Sequence, residues 1–285
     1  GAHLRSVDLR GANLRGADLD TADLRGANLK GAALRQVTML GALYDVRTVL
    51  PPMKNPVSSG MVLVAADSDL SGLELRGVNF LNTDLSRAAL RGADLERADL
   101  RGANLFGADL DGCHMTDAVY DASTILGEDV DLRNAGARFV GAGSSLPGVA
   151  LQWRDLEDID VDGGDLSGAD LTGVNLNSAQ LSNVCLDGAA LDMCTLRAAT
   201  LDAASARNAS LRGAVLHGAC LSGADLTDAN LTWADLTEAD LRGAILTGVV
   251  LDDTRFRRAR YDETTQLPDG FDAVAAGMLL PRRRT

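Results

Sequence analysis

Aromatic residues make up only 4% of this 285-residue chain. An interior built around large rings is therefore excluded; the core must be narrow and filled by smaller side chains. Cysteine is equally sparse. Cys113, Cys185, Cys194 and Cys220 form no CxxC pair and no closely spaced framework, which excludes a small disulfide scaffold and places the chain in a reducing compartment, the cytoplasm. No apolar run approaches the ~18 residues of a membrane helix, and no signal-peptide pattern is present. Basic residues are in deficit, 27 against 40 acids, for a net charge of -13. That balance disfavours nucleic acid and anionic membranes as direct partners and suits a protein partner with a basic surface. His3, His114 and His217 are isolated, and Cys113 and His114, adjacent in sequence, should point to opposite sides of an extended wall. No zinc spacing, phosphate loop or nucleophile elbow occurs, so no metal, cofactor or catalytic residue is expected and the chain reads as a non-enzyme.

What fills the sequence instead is a period of five. The unit is Ala-(Asp/Asn)-Leu-x-Gly, as in Ala12-Asn13-Leu14-Arg15-Gly16. Five is neither the period of a strand nor that of a helix, and it signals a repeating coil that buries its core against its neighbours. Calling the Leu position i, the centres run from Leu4 to Tyr44, from Leu70 to Tyr120 and from Leu151 to Tyr261. In the third run 19 of 23 centres are Leu, the others being Val161, Ala206, Phe256 and Tyr261. The first residues already lie inside a repeat, which predicts a chain that starts without a dedicated cap.

The only three tyrosines close the three runs, each followed by Asp at +1, Thr at +4 and Leu at +6: Tyr44-Asp45, Thr48, Leu50; Tyr120-Asp121, Thr124, Leu126; Tyr261-Asp262, Thr265, Leu267. The first and third share Pro51/Pro268, Gly60/Gly277 and Met61/Met278 as well. This reads as a recurring terminator, with the Tyr ring in the last core slot and the Pro barring a further coil. The predicted organisation is run one at 1–44, an insert at 45–68, run two at 69–120, an irregular insert at 121–150, run three at 151–263, and a cap or tail at 264–285. Val130-Asp131-Leu132 and Ala137-Arg138-Phe139 read as degraded repeats. In the tail, Phe271, Val274, Met278, Leu279 and Leu280 serve either to cover the open end or to form a dimer contact.

These residues resemble the pentapeptide-repeat family. The resemblance implies an all-β fold, a right-handed quadrilateral parallel β-helix with four repeats per coil, in which i and i-2 point inward. The 43 centres would then make about 11 coils and a stack of about 50 Å at the spacing of β-strands. The best-understood branch of that family resembles DNA in size, shape and charge and binds type II topoisomerases. The resemblance therefore implies a DNA mimic that modulates or protects DNA gyrase or topoisomerase IV. A scaffold or adaptor that assembles proteins is the alternative, because fold alone does not fix function.

Two surface features carry these readings. Run three has a net charge of -10, residues 67–121 around run two -6, and run one +2. At the β spacing run three carries about one net charge per 3 Å, against about one per 1.7 Å for duplex DNA. Its densest group, Asp155, Glu157, Asp158, Asp160, Asp162, Asp165 and Asp170, is the candidate partner-binding cluster; the other reading is a solvated acidic edge. Arg255, Arg257, Arg258, Arg260 and the Arg282-Arg283-Arg284 tail reverse the sign. Second, Trp153, Met193 and Trp233 all occupy i+2 and are 40 residues apart, with Gly173 and Gly213 between them. Four repeats per coil would align them as a contact stripe for a partner or a second subunit; otherwise the rings simply lie over neighbouring coils. Arg154, at a nominally inward i-2, predicts a ragged register beside Trp153.

Overall fold

The computed structural model describes residues 2–52, 56–127 and 130–280. Each repeat contributes one short rung, which pairs in parallel with the rung twenty residues further on. One such column runs Asp155, Asn175, Thr195, Val215, Asp235, Arg255. Twenty residues per coil is four repeats, so every fourth repeat shares a column. The sequence period makes the ladder uniform. Leu226 N–H donates to Ile245 O of the next coil (2.8 Å), and Asp225 N–H donates to Ala204 O of the preceding one (2.8 Å). Ala229 N–H closes the corner onto Leu226 O at 2.9 Å.

Side chains follow from that backbone. Every Leu at i except Leu251, and every Ala at i-2, is buried in run three, as with Ala224, Leu226, Ala229 and Leu231. Each buried Leu contributes roughly 1.5–3 kcal/mol. The i+2 residue adopts left-handed φ at corner after corner, which explains the frequent Gly there. Trp153 (61°), Met193 (56°) and Trp233 (61°) nevertheless take the same conformation, which costs an L-residue about 1–2 kcal/mol. The Asp or Asn at i-1 turns its carboxylate or amide oxygen onto the backbone N–H two residues on, as Asp225 Oδ1 does with Thr227 N–H (3.0 Å). The recurrent acid of the repeat is thus a local turn former.

The chain divides into two compact units, Gly1–Phe139 and Val140–Thr285. In the first unit, β1 (Leu43–Tyr44) pairs with β2 (Val62–Leu63), and β3 (Val119–Tyr120) with β4 (Arg138–Phe139), both parallel. These pairs lie 19 residues apart instead of 20, and Arg260 repeats that offset with Leu279 in the second unit. After each Tyr the wall continues for one further rung with one extra residue, pairing Asn28 with Val49, Asn104 with Ile125 and Ile245 with Gln266. Pro51 and Pro268 follow those rungs.

The extra residue is accommodated by the Asp and Thr of the terminator. Asp45 Oδ1 accepts from Gly26 N–H (2.9 Å), and Thr48 Oγ1 donates to Leu24 O (3.1 Å). The same bonds join Asp121 to Gly102 and Thr124 to Leu100, then Asp262 to Gly243 and Thr265 to Leu241. Sixteen residues after each Tyr stands a left-handed Gly: Gly60, Gly136 and Gly277. A Cβ at Gly60 or Gly136 would crowd the backbone of Leu40 or Thr116. The second module therefore has the same plan as the other two. Its Gly136 is hidden in sequence because Ala137 replaces the neighbouring Met.

The expected ragged register at Arg154 does not occur. Its carbonyl accepts from Asn175 N–H at 2.9 Å, and Asp155 pairs with Asn175 in step. At the far end of the second unit Phe271 packs edge-on against Phe256 (5.3 Å) and Met278 is buried, whereas Val274, Leu279 and Leu280 stay exposed.

Candidate protein-binding surface

The twenty-residue coil places Trp153, Gly173, Met193, Gly213, Trp233 and Asp253 in one column of i+2 corners. Trp153, Met193 and Trp233 are 68%, 56% and 59% exposed. The Trp153 ring lies on Gly173, where a Cβ would collide with it, and Met193 lies over Gly213. Trp153 and Met193 are thus each supported by a glycine one coil on and turn their other face to solvent. Trp233 is fixed further: its Nε1–H donates to Asp253 Oδ2 at 3.2 Å, and the Arg212 guanidinium sits 5.3 Å from the ring centroid. A shallow concavity beside it is lined by Arg212, Asn230, Thr232, Val250, Asp252 and Asp253.

The acidic group occupies all four columns of the opening coil rather than one face. Asp155, Asp160, Asp165 and Asp170 are i-1 residues, and each accepts the N–H two residues on: Glu157, Asp162, Ser167 and Thr172. Bonds from Ser167 hold the Asp165 carboxyl below its ordinary value. Asn175 Nδ2 donates to Asp155 at 2.8 Å, and Asn183 donates to Asp162 at 3.3 Å. Glu157, Asp158 and Asp162 are exposed on i+1 and i+2 corners. Further along, the outward columns change sign. Arg207 pairs with Asp225, Arg258 with Glu238, and Arg260 with Asp240. Arg282, Arg283 and Arg284 lie outside the described residues.

The remaining chemistry is structural. Cys113 Sγ donates to Leu90 O (2.9 Å) while His114 is exposed on the rung beside Asp94. Burial pushes the Cys194 thiol up to about 12, far from a nucleophilic thiolate. Among the described residues no group of three or more His, Cys, Asp or Glu is placed to hold a metal ion, and no helix is long and apolar enough to cross a membrane.

Stacked parallel rungs with this burial pattern define a β-helical repeat protein. Residues 2–39, 66–102, 82–117, 155–192, 193–228 and 224–260 match the pentapeptide-repeats family, together more than half of the chain, and the chain belongs to that family. Among solved structures it is similar to HetL, a pentapeptide-repeat protein involved in heterocyst differentiation regulation from the cyanobacterium Nostoc sp. strain PCC 7120, at 27% identity over 71% of this chain and 90% of that one, TM-score 0.30. A pentapeptide-repeat protein from the cyanobacterium Cyanothece 51142 is 30% identical over 44% of this chain and 89% of its own, TM-score 0.22. QnrB1, a plasmid-mediated fluoroquinolone resistance protein, is 15% identical over 73% of this chain and 90% of its own, TM-score 0.31. No curated protein matches the sequence.

Proposed function

We propose that this chain is a non-enzymatic, cytoplasmic protein-binding β-helix of the right-handed quadrilateral form, acting as a scaffold whose second unit recognises a partner through the Trp153–Met193–Trp233 column. One observation carries the reading. Three large apolar side chains stand exposed in a single column whose intervening corners are glycine, on a chain with only two Trp in all. Aromatic side chains of this kind, rimmed by polar groups such as Arg212, Asp252 and Asp253, are the usual anchors of protein interfaces. The alternation of acid and base along the outward columns suits a patterned protein surface better than a uniform polyanion. Co-purification of the tagged chain from its native cells, compared with a Trp153→Ala/Trp233→Ala variant, tests it. Loss of the same partner in the variant is expected, and an unchanged partner set rejects the column as the contact.

A second reading rests on the charge. A net -13, with outward acids on every column of the opening coil of run three, supports a DNA mimic that occupies the DNA-binding surface of DNA gyrase or topoisomerase IV. Such an association would be fast and salt-sensitive. A gyrase supercoiling assay at two salt concentrations, with and without a quinolone, decides it. Absence of any effect in all four conditions removes this reading and leaves the scaffold.

A further inference from the structure

The corners of the Trp153 column are held at a fixed interval. Trp153 N–H donates to Thr172 O, Gly173 to Asp192 O, Met193 to Arg212 O, Gly213 to Thr232 O and Trp233 to Asp252 O, at 2.8–3.0 Å. Each corner therefore lies one strand spacing from the next, and the large side chains, on alternate corners, recur about every 9.6 Å. All three take a left-handed φ in which Gly would sit without strain. The other three corner columns of run three carry only Gly, Ala and polar or charged residues, among them Ala198, Asn208 and Glu238. The interval belongs to this column alone.

An interval of this length selects the backbone that can follow it. An extended strand returns to one face about every 6.7 Å, so it passes the middle side chain out of phase. An α-helix returns to one face about every 10.5 Å, over seven residues, and overshoots the third side chain by about 2 Å. A polyproline II helix returns at every third residue, about 9.3 Å, and stays within about 0.6 Å of all three.

The polar groups beside the column agree. A polyproline II backbone makes no internal hydrogen bonds, so its carbonyls take donors from the surface they lie on. Three donors stand ready along the column. Trp153 Nε1–H has no acceptor among the described residues. Asn230 Oδ1 accepts from Thr232, which leaves Nδ2 open. The Arg212 guanidinium lies on the Trp233 ring with no carboxylate paired to it among the described residues. Arg212, Asn230 and the apolar Val250 line the concavity beside Trp233, and Asp252 stands exposed at the same end.

We propose that the Trp153–Met193–Trp233 column binds a proline-rich segment of a partner protein in the polyproline II conformation, with a proline of every third position on each of the three side chains and a basic residue against Asp252. The proposal rests on the reading of this column as the contact surface and names what it recognises. Proline rings pack on the exposed Trp and Met surfaces, as such segments do on aromatic-lined grooves. The three donors take carbonyls of the segment, and Val250 floors the site at the Trp233 end. A polyproline II segment is extended before it docks, so little conformational entropy is lost. That suits a shallow surface, which offers few contacts to offset ordering.

The only two tryptophans of the chain stand in the column, so their fluorescence reports occupancy directly. The probe is the peptide Arg-Pro-Pro-Ala-Pro-Pro-Ala-Pro-Pro-Arg, titrated into the 285-residue chain, and a saturable change in emission is expected. By calorimetry, Trp153→Gly and Trp233→Gly, which place at each corner the residue its backbone favours, should each weaken binding at least about tenfold with an unchanged circular-dichroism spectrum. Asp252→Asn should weaken it about threefold at low salt, and Arg258→Ala, at an ion pair on another corner column, should bind as the parent does. The same peptide with alanine in place of every proline should not bind. No binding of the proline peptide, equal binding of the alanine peptide, or full affinity in both Trp variants would each overturn the proposal. If the co-purified partner is lost from the Trp153→Ala/Trp233→Ala variant while the proline peptide fails to bind, the ligand chemistry falls and the column stands. If the partner set is unchanged as well, the column falls with it.

Discussion

Arg25 and Arg242 each stand nineteen residues before a module's Tyr and make the same bidentate pair, with Asp23 and Asp240, but Arg25 is sealed against the Asn79 coil while Arg242 is 46% exposed. The comparison separates what a repeat does locally from what its surroundings do with it. The pairing is local, set by an Asp at i-1 and an Arg at i+1 on one corner. The energetic weight is not. Arg25 and Asp23 are both buried, and Arg25 also donates to the Asn79 carbonyl, which no backbone amide reaches among the described residues. Removing one partner of such a pair leaves an uncompensated buried charge. Arg242 is itself half exposed, and although the Asp240 carboxylate is buried, Arg260 remains 3.3 Å from it when Arg242 is removed, so less is lost there.

The largest expected difference follows directly. Arg25→Ala should destabilise the first unit by about 3–5 kcal/mol, and Arg242→Ala the second by less than about 1 kcal/mol, read from urea unfolding of each variant. Equal losses would break the comparison.

The next sharpening is the pair Thr48→Val and Thr265→Val. Each hydroxyl makes the same bonds, donating to Leu24 O or Leu241 O and accepting from Asp45 or Asp262 N–H at 3.0 Å. Each loss should cost about 1–2 kcal/mol and the two should agree, because these bonds belong to the module and not to its environment. A difference as large as that between the two Arg variants would show that the environment reaches them too.

The smallest effect concerns acid. Burial works to raise the Asp45 carboxyl, but bonds from Gly26 N–H, the Thr48 hydroxyl and Arg47 outweigh it and hold it below its ordinary value. For Asp262 the Thr264 hydroxyl leads, and the carboxyl is again lowered. A carboxylate lowered by folding contributes stability that is fully present above its unfolded value, about 3.9. That contribution is lost as pH falls through the folded value. Asp45→Asn and Asp262→Asn should therefore each lose stability at pH 7 and show a shallower decline between pH 5 and 2 than the parent, in thermal melts. An unchanged slope in either would remove that carboxyl from the acid response.

Much of this molecule was legible from spacing. The column of Leu centres, the buried Ala at i-2 and the alignment of Trp153 with Met193 and Trp233 follow once four repeats are assigned to a coil. The recurring modules were legible through their tyrosines, and the Gly of two of them through Gly60 and Gly277, but the Tyr does not take the last core slot, because a further rung follows each one. Gly136 was not, because nothing beside it repeats, and it emerges only from the shared 19-residue offset of Val119 with Arg138. The raggedness expected at Arg154 was wrong for a physical reason: a register held by backbone bonds on both sides tolerates a polar side chain at i-2. The acids of the opening coil showed their charge but not their employment, since four of the seven are turn formers bonded to their own backbone.

A short-range repeat writes itself into sequence because every copy meets the same neighbours, twenty residues away on either side. The period, the turn chemistry of Asp and Gly and the narrow Leu/Ala core were determined at that level. Whether a given corner lies open or beneath another coil depends on residues more than fifty positions distant, as with Arg25 and Asn79. That contact has no period to announce it. Only the tertiary structure could therefore decide that, of the equivalent arginines Arg25, Arg101 and Arg242, the first two are sealed and the third stands exposed.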